Sequence, residues 1–386
     1  MIPLLAYTLV MSQPRPTVLL TLGRLPPAID IARAFRSAGW RVIVADPFRL
    51  NMARTSLAVS RVHRVAGPTK SPNQFRRDIT DLVRRYDVQL VVPVSEETPW
   101  VSGLKHQLTA DVFCGEQDCV LELHSKQRFI ELAERLELPS PRTARIGTEV
   151  ARSIALADYV LKPEFSCSGR NVSLHSAGDP IPADSADLLI QERLLGQEIS
   201  AFVIARSGVC QLMVAYRAHT RHGSVAVCFE RVDHASVQSW VSAFVAEINY
   251  TGLLSFDFII DPSDGTARAI ECNPRATSGL HFVSPSALVA AICGTDAPAD
   301  PILKDTTLMQ EFWSHWTHWF SVLGDAEERR RTGRALRAAR DVTWSIRDPF
   351  VMPLATFSTW PIVWQAIRRR TTFAEVLALD IEWRPE

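Results

Sequence analysis

Residues 252–274 read Gly-Leu-Leu-Ser-Phe-Asp-Phe-Ile-Ile-Asp-Pro-Ser-Asp-Gly-Thr-Ala-Arg-Ala-Ile-Glu-Cys-Asn-Pro. Two apolar, strand-prone runs flank an Asp-Ser-Asp-Gly turn, the pattern of an antiparallel hairpin. Each run carries a carboxylate, Asp257 and Glu271, and the turn lets the two face each other across the pair. Glu271 and Asn273 are two apart and share one strand face. A charge on the inner face of a strand is unfavourable unless it meets a counter-charge, a ligand or a metal. This part of the chain must therefore form an antiparallel sheet with a polar site on one face.

Upstream the pattern is different. Residues 17–22 (Thr-Val-Leu-Leu-Thr-Leu) form a buried-strand run, and residues 28–38 have helical spacing that ends at Gly39, a C′ cap. Residues 40–46 make the next strand, a helix follows over 75–86, and a strand over 88–93. Such alternation implies a parallel sheet covered on both faces. The second strand ends in Asp46, which invites a dinucleotide reading, but the turn is Gly23-Arg24-Leu25-Pro26-Pro27 and not GxGxxG. Two prolines cannot offer N–H groups to a pyrophosphate. Residues 12–118 are expected to be a Rossmann-like domain that binds no NAD.

Near residue 119 the class changes to α+β, with a strand-borne lysine at 160–163, an apolar strand within 187–200, and a hairpin-like stretch at Gly208. This second domain is expected over 119–300. Residues 301–386 read as a helical C-terminal region that packs on it or forms a subunit interface. There Trp313, Trp316 and Trp319 share a helix face, expected as core or interface and compatible with a homodimer. Residues 350–367 carry no charge, but Pro353 and Pro361 interrupt them, so a spanning helix is not expected. Packing onto the preceding domain is the simpler fate of that stretch, and a membrane partner is not expected.

Composition excludes some functions. The 386 residues hold 42 Lys+Arg and 42 Asp+Glu, without the basic excess of a nucleic-acid binder. Seven cysteines, none in a CxxC pair, suit reduced thiols in a cytoplasmic protein better than disulfides or zinc. The apolar first ten residues lack a basic flank and a small-residue cleavage site, so they read as an upstream extension, consistent with a start at Met11, rather than as a weak signal peptide.

The chemistry lies in charges placed inside apolar strands: Lys162, Glu192, Asp257 and Glu271, followed by Asn273 and Arg275. Such a set would hold an anionic ligand through metal ions. Asp257, Glu271 and Asn273 offer only oxygens, which suits Mg2+ and not zinc or copper. A polar cross-strand cluster that satisfies itself is the plain alternative. Residues 166–171 (Ser-Cys-Ser-Gly-Arg-Asn), after Lys162, form a small polar loop able to bring backbone N–H groups and Arg170 to phosphate oxygens.

The order Lys126, Lys162-Pro163, small loop, Gln191-Glu192-Arg193-Leu194, Glu198, Asp257, Glu271-x-Asn273-Pro274-Arg275 resembles the ATP-grasp superfamily. It is similar to the carboxylate–amine ligase branch that includes D-alanine–D-alanine ligase, biotin carboxylase and L-amino acid ligases. The resemblance covers most of the chain and implies a pre-ATP-grasp domain followed by the grasp itself. It implies ATP and one or two Mg2+ ions, which Mn2+ can replace. Lys126 and Lys162 match the nucleotide lysines, with Lys162 at the α-phosphate and adenine edge. Ser166, Ser168, Gly169 and Arg170 fall in the loop that closes over the β- and γ-phosphates, although the family loop is richer in glycine. Gln191, Glu192, Arg193 and Leu194 match the adenine hinge, and Glu198 the ribose carboxylate. Asp257, Glu271 and Asn273 match the magnesium ligands, and Arg275 the arginine at the transferred phosphate. Lys162 and Arg275 are thus the expected catalytic residues.

The activity implied is ATP-dependent amide formation through an acylphosphate, on small-molecule carboxylate and amine substrates resembling amino acids. A non-catalytic nucleotide-binding module and a phosphotransferase that forms no amide are the alternatives. Arg217, in a basic stretch between two strands, and Ser278, Gly279 and His281, after the Asn-Pro-Arg motif, are candidates to border the substrate. A solvated hairpin tip is the competing role for Arg217.

Overall fold

The computed structural model describes residues 15–166, 171–182, 187–222, 225–296 and 302–384. Three sheets organise them. The first is parallel, with strands β1 (Thr17–Leu20), β2 (Arg41–Asp46), β3 (Arg61–Arg64), β4 (Leu90–Val92) and β5 (Asp111–Val112) in the order 3-2-1-4-5. Helices Pro26–Ser37 and Pro72–Tyr86 each begin with proline in the first turn, where its missing N–H is tolerated. The Rossmann-like expectation for this part holds.

A second, antiparallel sheet follows: β6 (Thr143–Arg145), β7 (Tyr159–Pro163), β8 (Ser173–His175) and β9 (Leu188–Glu192), in the order 6-9-7-8. The third and largest contains β10 (Gln197–Arg206), β11 (Val209–His222), β12 (Val225–Val232), β13 (Gly252–Ile260) and β14 (Ala267–Asn273). Ser207 and Gly208 turn β10 into β11 with φ of 47° and 76°, the left-handed pair that a two-residue hairpin needs. The hairpin of 252–274 forms as expected, with Gly265 at φ 74° in its turn.

Residues 301–386 are not wholly helical. Short strands β15 (Leu308–Gln310) and β16 (Arg340–Asp341) extend the third sheet beyond β12. One face of that sheet packs on helices Lys126–Arg135 and Ala235–Glu247 through Phe129, Trp240, Phe244 and Phe256. On the other face a single apolar cluster runs from Leu20 and Phe35 through Phe202 and Leu280 to Val351, joining all three segments of the chain.

The Trp face, expected as core or interface, lies outside the core. Helix Phe312–Ser321 turns His315 and His318 inward and leaves Trp313 and Trp316 exposed and Trp319 half-buried, because the histidine pair and the tryptophan triplet are offset around the helix. Residues 350–367 also depart from expectation. Helix Ala355–Arg369 buries only the strip Ala355, Ser358 and Ile362, and its aromatic side stays in solvent. Among the described residues no helix is long and apolar enough to cross a membrane.

Two buried ionic clusters tie distant segments together. Arg24, in the first turn, is buried between Asp46 at 2.9 Å and Asp380 at 2.7 Å. The Gly23 N–H donates to the Asp46 carboxylate at 2.9 Å, so that acid is fully engaged within the turn. Residues 377–383 continue as a strap over the parallel sheet. Trp100 and Thr69 donate to carbonyls of Ile381 and Glu382 at 3.0 Å, and Trp383 meets the Phe165 ring at 5.5 Å.

Asp30, on helix Pro26–Ser37, makes the second tie, with His281 Nδ1 at 3.0 Å and Lys304 Nζ at 3.4 Å. Burial alone would raise its carboxyl, but Lys304 and His281 outweigh burial and hold it at about 2. A depressed carboxyl stabilises the fold fully above its ordinary value of 3.8 and loses that contribution as pH falls through about 2. Asp30→Asn is expected to lower stability at neutral pH by about 2 kcal/mol. Near the lower end of that window the variant and the parent should converge. Urea unfolding at the two pH values checks this, and an equal deficit at both would contradict it.

Candidate active site

Lys162 stands at the end of β7, and the register places it on the same face as Gln191 of β9. Its Nζ donates to Gln191 Oε1 at 2.9 Å and crosses to the third sheet to donate to the Ile270 carbonyl at 3.0 Å. One lysine therefore bridges the two antiparallel sheets. Lys126 begins helix Lys126–Arg135, where the Ser125 hydroxyl caps the first turn by accepting from the Arg128 N–H. Its Nζ donates to the Ser166 carbonyl at 2.8 Å and lies 3.6 Å from Glu271 Oε2. Both lysines are buried. Burial pulls the Lys162 ammonium down to about 8, opposed by the Glu271 charge.

Asp257 and Glu271 are register partners across the hairpin, as expected. Ser200, opposite Asp257 on β10, donates to its Oδ1 at 2.5 Å, and Asn273 Nδ2 donates to Glu271 Oε1 at 3.2 Å. Burial and the Glu271 charge push the Asp257 carboxyl well up. Burial acts on Glu271 too, but Lys126 and Lys162 outweigh it and keep that carboxyl ionised. Among the described residues no three His, Cys, Asp or Glu side chains form a metal cage by themselves. Two carboxylates and an amide oxygen nevertheless suit Mg2+, which takes one or two carboxylates and completes its octahedron with water and phosphate oxygens.

Arg275 follows β14, and its Nε lies 2.7 Å from Glu96 Oε1. Glu96 sits in the loop after β4, on the first domain, and the Ala276 N–H donates to the Val94 carbonyl of that loop at 3.1 Å. Burial alone would raise the Glu96 carboxyl; the Arg275 guanidinium outweighs it and holds it below the usual glutamate range. The parallel sheet thus contributes an acid to the site from the carboxyl end of a strand. Sequence reasoning missed Glu96 and Ser200. Ser200 was findable, since it shares the period-two face of Glu198; Ser95-Glu96-Glu97 marks a charge at the end of an apolar strand, but nothing local ties it to β14.

Other expected residues sit as follows. Glu192 points away from Gln191, with its Oε2 3.7 Å from Arg142 Nε, and Arg193 pairs with Asp158 at 3.1 Å. Leu194 is half-buried beyond the end of β9. Glu198 shares the Ser200 and Asp257 face and pairs with Arg221 at 2.8 Å. Ser166 lies under Lys126, whereas Ser168, Gly169 and Arg170 lie outside the described residues. A cavity of about 360 Å3 opens beside Phe165, Ser166, Asn171 and Arg384.

The structure does not bring Arg217 to the carboxylates. It pairs with Glu230 at 2.7 Å across β11 and β12, and strand alternation puts it on the face opposite Tyr216, the partner of Ser200. His281 is likewise turned away, buried against Asp30. Gly279 is a close-packing position, since a Cβ there would lie 2.6 Å from Phe202 Cβ. Ser278, beside it in the one-turn helix Ser278–Phe282, is half-buried.

Two largely antiparallel sheets are thus bridged by a lysine beside a pair of carboxylates. Residues 124–279 match the family model of the ATP-grasp domain, and the chain carries that domain. No curated protein sequence matches the chain. Among solved structures it is similar to Staphylococcus aureus N5-carboxyaminoimidazole synthetase complexed with ADP, with a TM-score of 0.60 and 14% identity over 73% of this chain and 78% of that one. A biotin carboxylase–β,γ-ATP complex from Campylobacter jejuni gives a TM-score of 0.59 and 14% identity over 75% of this chain and 73% of that one. Rhizobium etli pyruvate carboxylase gives 0.58 and 15% identity over 75% of this chain, which spans only 29% of that protein. At these identities the likeness is one of fold.

Proposed function

We propose that the protein is an ATP-dependent carboxylate–amine ligase. The observation that carries this reading is the convergence of Lys126 and Lys162 on Glu271, opposite Asp257, with Arg275 four residues on. In it, Lys126 and Lys162 bind phosphate oxygens, residues 191–194 hold the adenine, and Glu198 holds the ribose. Asp257, Glu271 and Asn273 would hold one or two Mg2+ ions, which when bound neutralise phosphate charge. A substrate carboxylate oxygen takes the terminal phosphoryl group and ADP leaves; an amine then attacks the acyl carbon and phosphate departs with the amide formed. Arg275 stabilises charge on the group in transit. Phosphoryl transfer needs this positioning and neutralisation more than a protein nucleophile, so no cysteine is assigned a role. Biotin carboxylase and N5-carboxyaminoimidazole synthetase among the similar folds support an ATP-dependent activity on small molecules. The domain limits 12–118, 119–300 and 301–386 and a cytoplasmic location belong to the same reading.

The test measures ADP and phosphate release against panels of amino acids and related acids, each with and without an amine. Release that requires both substrates is expected, together with an amide product by mass spectrometry. Release with a hydroxyl acceptor and no amide would indicate a phosphotransferase. Nucleotide binding with no turnover on any pair would favour the non-catalytic module.

A further inference from the structure

Helix Ala355–Arg369 carries Phe357, Trp360, Trp364 and Ile367 at spacings of three, four and three, so they form one stripe. Their exposures are 63%, 54%, 56% and 63%. Large apolar side chains seldom stand out together in this way unless something covers them. The stripe continues toward helix Phe312–Ser321, whose Trp313 Nε1 donates to the Met352 carbonyl at 3.0 Å. Charge identifies the occupant. Arg368, Arg369 and Arg370 close the helix and are exposed, and no acidic residue lies between Asp348 and Glu375. An aromatic stripe rich in indole, flanked by cations alone, matches the boundary between acyl chains and anionic headgroups. Tryptophan suits that depth because its body is apolar and its N–H is polar. The helix is too short and too interrupted to span a bilayer, and its buried strip anchors it to the protein along one side.

We propose that this face docks on an anionic lipid surface, with the helix lying in the plane of the interface. The proposal is independent of the ligase reading, because none of these residues touches the nucleotide site. The probe is co-sedimentation of the full chain with phosphatidylcholine vesicles, with and without phosphatidylglycerol. Binding is expected only where phosphatidylglycerol is present, and it should weaken with salt. Replacing the three arginines together (R368Q, R369Q, R370Q) should weaken it on the order of 100-fold. Trp360→Ser with Trp364→Ser should weaken it on the order of tenfold or more. All these side chains are exposed, so thermal stability should not change; a variant that fails to fold is replaced by the single substitution R369Q or W364S. No binding to the anionic vesicles would overturn the proposal. So would binding that the tryptophan variants leave intact, which is charge adhesion alone. Light scattering provides the remaining arm: a dimer broken by Trp360→Glu would show that a second copy covers the face, and would overturn it too.

Discussion

Arg275→Lys is expected to lower kcat on the order of 10²- to 10³-fold while changing the KM for ATP little. In the proposed reaction the guanidinium acts on charge that develops during transfer, so its loss falls on the chemical step. Lysine keeps the charge but loses the planar fork, and the Arg275 Nε that faces Glu96 at 2.7 Å has no counterpart in an ammonium. Glu96 makes the prediction sharper. Glu96→Gln leaves Arg275 in the chain but weakens its tether to the first domain, so kcat should fall less than in Arg275→Lys. A role confined to stability predicts a different pattern: a lower melting temperature in both variants and near-normal turnover in what folds. Thermal unfolding measured beside turnover separates the two.

Lys162→Ala should weaken ATP binding by about 2–3 kcal/mol, on the order of 30- to 150-fold. The buried ammonium bridges Gln191 and the Ile270 carbonyl, so its charge acts from a desolvated position. Its depressed value gives a second signature. Only the protonated form attracts phosphate, so affinity should be steady below about 8 and decline as pH rises beyond it. Calorimetric titration across that range checks both statements. Parent affinity that does not change with pH, or a variant that binds like the parent, would remove Lys162 from the site.

Much of the site was legible because charge inside an apolar strand is rare and has few explanations. Asp257 and Glu271 could be paired from the hairpin alone, since a two-strand turn fixes register. Lys162 and Gln191 were readable as strand residues, but their mutual hydrogen bond was not, because pairing of β7 with β9 depends on a connection of some two dozen residues. Glu96 was missed for a similar reason: nothing local says that the loop after β4 meets the loop after β14. Arg217, in its basic stretch between two strands, and His281, six residues past Arg275, are placed by longer-range contacts: strand alternation and Glu230 turn the first from the carboxylates, and Asp30 holds the second. The histidines of helix Phe312–Ser321 show the limit of hydropathy, since a neutral imidazole packs inward where an indole was expected.

The strap over residues 377–383 sets an order of events during synthesis. Arg24 leaves the ribosome well before its partner Asp380, which follows 356 positions later. Until then one side of a buried guanidinium lacks its carboxylate, and the first sheet lacks the backbone acceptor at Ile381 that engages Trp100. The domain made first is therefore finished last. Contacts of such sequence separation slow folding, since most of the chain must be confined before they form. The same strap sets Trp383 against Phe165, one residue before Ser166 under Lys126. If the proposed site binds nucleotide, a nascent chain should become competent to do so only after residue 380 has emerged. Ribosome-bound chains carrying residues up to 375 or up to 386, each followed by a linker long enough to clear the exit tunnel, would separate the two states by their protection from protease.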